Sequence, residues 1–215
     1  MSSARLLFLG LLLVAFLTTG CLPGRPQHLA ELEIKEAPGG LIIRPPRPGG
    51  AKDIRYIMLH AISDGAVNPR DPFQLQRIRA LFQDYQVEAH YLIDRQGQIF
   101  RFVPDTRTAR HAGTGSWAQD PAAAANMNRY AIGIELMGIG SAAEMEEVIG
   151  PKANALIKAE HRGYTEEQYL ALNLLLAHLL DRYSIPPGNV LTHAQYAPGR
   201  KWDPGELFDW DQLEL

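Results

Sequence analysis

Two short apolar runs set the terms for this chain: Ile54 to Leu59 (IRYIML) and Ala131 to Met137 (AIGIELM). Both are β-rich and of strand length, and neither alternates cleanly between apolar and polar side chains. They read as central strands of a sheet covered on both sides. Each brings a polar group to a place where polar groups are costly. His60 follows the first run directly and opens into a loop, Ala61 to Gly65, while Glu135 interrupts the second.

Helical periodicity appears between and beyond these runs. Phe73, Leu75, Ile78, Leu81, Phe82 and Tyr85 mark one face of a helix, with Asp71 and Pro72 suited to its N-cap and first turn. His90 to Val103 reads as a hairpin, Tyr91-Leu92-Ile93 and Ile99 to Val103 flanking a turn that contains Gly97. Ser141 to His161 is polar helical material opened by a Ser141/Glu144 capping box. The strongest helix runs from Thr165 to Tyr183, with a Thr165/Gln168 capping box, an apolar face of Tyr169, Leu172, Leu176, Leu179 and Tyr183, and a stop at Pro186-Pro187-Gly188. Val190 to Thr192 is a further short buried strand. Strands alternating with helices, plus one hairpin, predict an α/β fold: a single domain with a mixed central β-sheet flanked by helices. The 215 residues suffice for one such domain with a sizeable core.

The chemistry gathers in Val190 to Gly205, VLTHAQYAPGRKWDPG. Pro198, Gly199, Pro204 and Gly205 break regular structure, so His193, Lys201 and Asp203 are expected on a loop. An imidazole and a carboxylate are good zinc ligands, and the lysine adds a fixed positive charge beside them. Two ligands do not make a site. His60 is a third candidate, set against its plainer reading as a hydrogen-bonded core histidine. Glu135 is read equally as half of a buried salt bridge or, beside a metal, as a general base. His111 and Trp117 occupy a Gly-rich loop, Arg110 to Trp117, that suggests a substrate-facing surface; a structural loop is the alternative. His90 and Tyr91 are expected to pack, His28 and His161 to be solvated, and His178 to lie on the surface of its helix or pack there.

The one cysteine, Cys21, excludes an internal disulfide framework and a CxxC metal site. Arg5 precedes an apolar run, Leu6 to Leu17, and a small-residue zone, Thr18-Thr19-Gly20. Residues 1–20 thus read as a signal peptide, too short for an ordinary membrane span. A cysteine at its end resembles a bacterial lipobox, although Thr18 stands where leucine is usual; a plain secretory signal is the alternative. Lipidation at Cys21 would supply about 0.8 kcal/mol per buried methylene, with more than one acyl chain giving a stable anchor. The expected location is the bacterial cell envelope. Leu22, rather than an aspartate, points to the outer membrane facing the periplasm where two membranes exist, and otherwise to the cell-membrane surface. Residues 21–40, rich in Pro, Gly and charge, read as a spacer before a domain at 41–215. A net charge of −3 without a basic cluster argues against nucleic acid as a partner.

In order along the chain, YIMLH at 56–60, EAHYLIDRQGQIF at 88–100, ARHAGTGSW at 109–117, NRYAIGIELMG at 128–138, YTEEQYLAL at 164–172 and the H-x7-K-x-D of 193–203 resemble the zinc-dependent N-acetylmuramoyl-L-alanine amidases of the type 2 amidase family. Phage lysozyme-type amidases and peptidoglycan recognition proteins share that fold. The resemblance implies zinc held by His60, His193 and Asp203, with Glu135 as catalytic glutamate and Lys201 near the scissile carbonyl. The phage-type branch has a tyrosine just before the hairpin histidine; here that residue is Ala89, so the glutamate-dependent branch of wall-recycling enzymes is implied. The implied substrate is peptidoglycan or muropeptide, cut between N-acetylmuramic acid and L-alanine. Three protein ligands leave the fourth position that a catalytic zinc needs. Two other functions compete: a non-catalytic wall-binding module on the same fold, against which the full ligand set argues, and a zinc hydrolase of another amide, although HExxH is absent. Two departures from the family stand out. Segment 141–163 is longer than in short relatives, and no second wall-binding domain is expected after residue 205.

Overall fold

The structure, a computed structural model, describes residues 31–215. The expected signal peptide, Cys21 and His28 lie outside the described residues. Glu31 to Leu215 forms one compact unit.

Six strands make one mixed sheet: β1 (Ile34–Glu36), β2 (Tyr56–Ile62), β3 (Tyr91–Ile93), β4 (Ile99–Arg101), β5 (Ala131–Met137) and β6 (Val190–Thr192), in the order β1-β4-β3-β5-β2-β6. Only the β3/β4 hairpin is antiparallel. The two apolar runs are β2 and β5, paired side by side at the centre as expected. Alternate side chains of β2, β3 and β5 go to opposite faces. Ile57, Leu59, Tyr91, Ile93, Ile132, Ile134 and Leu136 meet α6 (Glu166–Tyr183) through Tyr169, Leu172, Leu175, Leu176 and Leu179. Each such fully buried Leu or Ile contributes about 1.5–3 kcal/mol. The opposite face is covered in two patches. Leu92 and Met137 pack on Ile78 and Phe82 of α1 (Leu75–Asp84), and Tyr56, Met58 and Ala131 pack on Ala123 of α2 (Pro121–Ala124), Met127 of α3 (Met127–Tyr130) and Tyr196 of α7 (His193–Tyr196).

The Thr165/Gln168 box caps α6 as its sequence predicts. Gln168, fully buried, also donates to the carbonyls of Ile93 at 3.2 Å and Met137 at 3.0 Å, tying the helix start to the ends of β3 and β5.

Five expectations need correction. The spacer ends sooner than residue 40: Ile34–Glu36 pairs with β4 and Ala37 is buried, because an edge strand needs only backbone partners. Helix α1 begins at Leu75 rather than Pro72, since the Pro72 carbonyl accepts from Asp64 N (2.8 Å) and Phe73 packs edge-on against His161. That contact also makes His161 half-buried rather than solvated. Segment 141–161 splits into α4 (Ala142–Val148), whose Ser141/Glu144 capping box is present, and α5 (Pro151–Asn154), with Gly150 and Pro151 breaking the run. Finally, His193 is the first residue of α7, capped by Thr192, not a loop residue; Lys201 and Asp203 are on the loop beyond.

Candidate metal centre and active site

Strands β5, β2 and β6 are parallel neighbours, so their C-terminal ends open at one edge of the sheet, where ligand sites of α/β folds form. His60 sits near the end of β2, in register with Glu135 on β5. Register partners on adjacent strands point to the same face, which here is the one away from α6. His193 follows β6 directly. Asp203 returns to it through its own carbonyl, which accepts from Ala194 N at 2.9 Å.

This brings together three donors that lie far apart in sequence. His60 Nδ1 is 2.9 Å from His193 Nδ1 and 3.1 Å from Asp203 Oδ2; His193 Nδ1 is 3.0 Å from the same oxygen. All three residues are buried, with exposures of 2%, 3% and 6%, so this constellation excludes bulk water. Burial pushes the His60 imidazole down to about 4, leaving it neutral and free to ligate. Burial opposes the charge of Asp203, but hydrogen bonding with His193 and His60 outweighs it and holds this carboxyl well below the usual range. Two imidazoles and one carboxylate form a donor set suited to a divalent metal. Their 2.9–3.1 Å triangle is close to the ~3.3 Å ligand–ligand edge of a tetrahedron with zinc-length bonds of about 2.0–2.1 Å. The outer nitrogens are engaged as ligands require: His193 Nε2 lies 2.9 Å from the Ala112 carbonyl and His60 Nε2 lies 3.1 Å from His111 Nδ1. The residues fit a bound metal.

Glu135 resolves to neither half of a salt bridge. It is 9% exposed, and its Oε2 has no hydrogen-bond partner among the described residues. Burial raises its carboxyl well above the ordinary range; the charge of Asp203 adds to this and Lys201 opposes it. A buried carboxyl with a free oxygen beside a metal centre can take and return a proton. Lys201 is exposed and lines a cleft of about 460 Å³ with Ile62, Asp64, Met145 and Trp202.

His111 and Trp117 occupy different ground. His111 is 8% exposed and lies behind His60, its ring edge-on to it at 5.1 Å between centroids. Trp117 is half-buried, packs with the cluster of Tyr56, Met127 and Tyr196, and lines a separate depression with Pro121 and Ala124. His90 and Tyr91 are buried, as packing residues should be. His178 is exposed on α6.

Several residues that hold the site carry no motif. Arg47 is 2% exposed and has no carboxylate partner among the described residues; it donates to the backbone carbonyls of Asp105, Arg107, Asn128, Arg129 and Ala131. The Asp203 loop is braced from outside by Tyr164, which donates to the Pro204 carbonyl at 2.6 Å, and by Glu144 Oε1, which accepts from Glu206 N at 2.9 Å. Gly205, with φ of 89°, completes that loop where a Cβ would lie 2.8 Å from Glu144 and 2.9 Å from Trp202. Tyr164, Glu144 and Gly205 lie in stretches that the sequence marks out, YTEEQYLAL, the Ser141/Glu144 box and VLTHAQYAPGRKWDPG, but none of these signals points to this use.

Three comparisons bear on this geometry. A family model described as N-acetylmuramoyl-L-alanine amidase matches residues 50–206. The N-acetylmuramoyl-L-alanine amidase AmiD of Escherichia coli (strain K12) is 36% identical over 141 residues, 62% of this chain and 46% of that relative. The 1,6-anhydro-N-acetylmuramyl-L-alanine amidase AmpD of Citrobacter freundii is 34% identical over 125 residues, 58% of this chain and 54% of that relative. The chain thus spans about half the length of these curated relatives. Among solved structures, the E. coli AmiD complex with anhydro-N-acetylmuramic acid-L-Ala-D-gamma-Glu-L-Lys is similar at a TM-score of 0.55 and 29% identity, over 74% of this chain and 56% of that one.

Proposed function

This chain belongs to the N-acetylmuramoyl-L-alanine amidase family, and we propose that it hydrolyses the amide between N-acetylmuramic acid and L-alanine in peptidoglycan or its released fragments. The observation that carries this reading is the meeting of His60, His193 and Asp203 next to Glu135, a buried carboxyl with an unpartnered oxygen. A non-catalytic binding module has no need of that orphaned acid, and neither does a core built for stability alone.

In this reading His60, His193 and Asp203 hold zinc. Bound there, zinc supplies Lewis acidity and lowers the pKa of water from about 15.7 towards about 7. Glu135 takes the proton of the attacking water and returns it to the leaving nitrogen of L-alanine. Its raised affinity for protons suits the second half of that task. Lys201, at the rim of the cleft, supplies positive charge where the carbonyl oxygen becomes an oxyanion. The muropeptide bound in the related AmiD complex is the substrate class we assign, its sugar and stem peptide meeting at the scissile amide.

The wider reading is of an envelope lipoprotein: residues 1–20 are removed, Cys21 is acylated, and the amidase domain faces the cell wall. Incorporation of labelled palmitate that disappears in Cys21→Ser supports the anchor; equal labelling of both forms removes it.

The activity is tested on a soluble form lacking residues 1–21, incubated with purified muropeptides and analysed by mass. Release of stem peptide with a free N-terminal L-alanine, abolished by a chelator and restored by zinc, is the expected result. A folded, zinc-loaded protein that binds muropeptide without cutting it would establish the recognition module instead.

A further inference from the structure

Within this metal centre, and resting on the reading of it just given, we infer that Asn128 and His111 are positioning residues that determine which nitrogen each histidine ligand presents. A neutral imidazole carries one proton, and the nitrogen that carries it cannot ligate. His60 and His193 both turn Nδ1 inward, 2.9 Å apart. Both must therefore keep their proton on Nε2, and each Nε2–H needs an acceptor behind it.

The acceptors come from adjacent residues. The Ala112 carbonyl receives His193 Nε2 at 2.9 Å, and His111 Nδ1 receives His60 Nε2 at 3.1 Å. One side chain pins that pair. Asn128 Oδ1, at the start of β5's lead-in helix, accepts from His111 N at 2.9 Å and from Ala112 N at 2.8 Å. Asn128 is fixed in turn by Arg47, whose Nη1 donates to its carbonyl at 3.3 Å. This amide oxygen thus holds the backbone that carries both acceptors, although it touches neither ligand; Arg200 Nη2 adds a direct bond to the Ala112 carbonyl at 2.9 Å.

The surroundings of His111 support the same role. Gly133 on β5 leaves the space its ring occupies; a Cβ there would lie 2.6 Å from that ring. His90 packs edge-on at 5.7 Å between centroids, with its Nδ1 accepting from Gly133 N at 3.0 Å. To accept from His60, His111 must carry its own proton on Nε2. Among the described residues that nitrogen has no partner in hydrogen-bond geometry. A histidine kept only to fill volume has no use for an orphaned N–H. An acceptor for His60 requires it.

The test is the zinc dissociation constant of the full-length chain in detergent, measured by competition with a chromophoric chelator, alongside thermal midpoints with the metal stripped. His111→Phe keeps the ring volume and removes the acceptor; zinc binding is expected to weaken about 10–100-fold. His111→Asn places an oxygen where Nδ1 was and should recover most of that loss. Asn128→Ala is expected to weaken binding to a similar extent, whereas Asn128→Asp keeps a double acceptor and should bind as the parent does. Unchanged affinity in both His111→Phe and Asn128→Ala overturns the inference, as does an Asn128→Asp as weak as Asn128→Ala. If His111→Phe does not fold, the Asn128 pair decides by the same criterion. A parent that binds no zinc defeats the metal-dependent reading and this inference with it; a parent that binds, with variants that follow it, defeats this inference alone.

Discussion

On the α6 side of the central sheet, Leu59, Ile132, Ile134 and Leu136 meet Leu172, Leu175, Leu176 and Leu179 with polar side chains only at the margins. On the other side, His60, His90, His111, Glu135, His193, Asp203 and Arg47 are all buried. The first face is held by area removed from water, and any set of apolar side chains of similar volume would serve it. The second is held by specific partners, each histidine ring needing a donor for one nitrogen and an acceptor for the other, and each guanidinium proton an acceptor. Yet the buried Glu135 Oε2 is left without a hydrogen-bond partner among the described residues. The two faces share strands β2 and β5, so the same backbone that is stabilised on one side is available to hold strained polar chemistry on the other. Substitutions on the two sides should therefore separate stability from turnover.

The largest expected effect lies on the polar face. Glu135→Gln should lower kcat by about 10²–10⁴-fold, the span of a lost general acid–base group. Zinc content should stay at the parent level, and the midpoint of the stripped protein should not fall, since a buried ionisable group is replaced by a neutral one. A variant with normal turnover removes Glu135 from the reaction. Next comes the apolar face. Leu172→Ala, at a position with no exposure, should cost about 2–5 kcal/mol in denaturant unfolding. Its kcat and zinc affinity, measured well below the lowered midpoint, should match the parent. A Leu172 variant that loses activity in proportion to stability would mean the faces are coupled more tightly than their packing implies. Smaller again is Gln168→Ala at the boundary. It removes the Gln168 side-chain half of the α6 capping box, leaving Thr165 Oγ1 on the backbone N–H, and two buried bonds to β3 and β5, for about 1–3 kcal/mol, with kinetics unchanged.

The apolar face was the more legible in sequence. Strand length, apolar run and the Thr165/Gln168 box are local signals, and β2, β5 and α6 follow them. The site was legible only where chemistry forces residue type: His193 and Asp203 lie ten positions apart in a stretch broken by Pro and Gly, and His60 and Glu135 are polar groups at or within runs that should hold none. What holds those residues was not legible. Asn128 and Arg47 act through backbone carbonyls and amides brought from other segments, and a backbone partner leaves no trace in residue type. The edge strand β1 was missed for a related reason, since Ile34–Glu36 joins the sheet by main-chain pairing with β4 and offers the core little more than Ile34. His161 seemed solvated because its neighbour Phe73 arrives from a distant segment that sequence periodicity had assigned to α1.

The smallest effect separates a purely local role from one that reaches the metal. Ser141 and Glu144 share the capping box of α4: Ser141 Oγ accepts from Glu144 N, and Glu144 Oε2 accepts from Ser141 N. Only Glu144 reaches further, its Oε1 accepting from Glu206 N three residues beyond Asp203. Ser141→Ala and Glu144→Ala should each cost about 0.5–2 kcal/mol, typical of a lost cap. They should differ in zinc release. Glu144→Ala frees one brace of the Asp203 loop, leaving Tyr164 on the Pro204 carbonyl, and should speed dissociation a few-fold. Ser141→Ala leaves the Glu206 bond in place and should not change it. Stopped-flow transfer of zinc to a chelator measures both. Equal rates in the two variants would confine Glu144 to its helix and leave the Asp203 loop held by Tyr164 and its own turn. Unequal rates would show that segment 141–163 has been built into the support of the His60, His193 and Asp203 cluster.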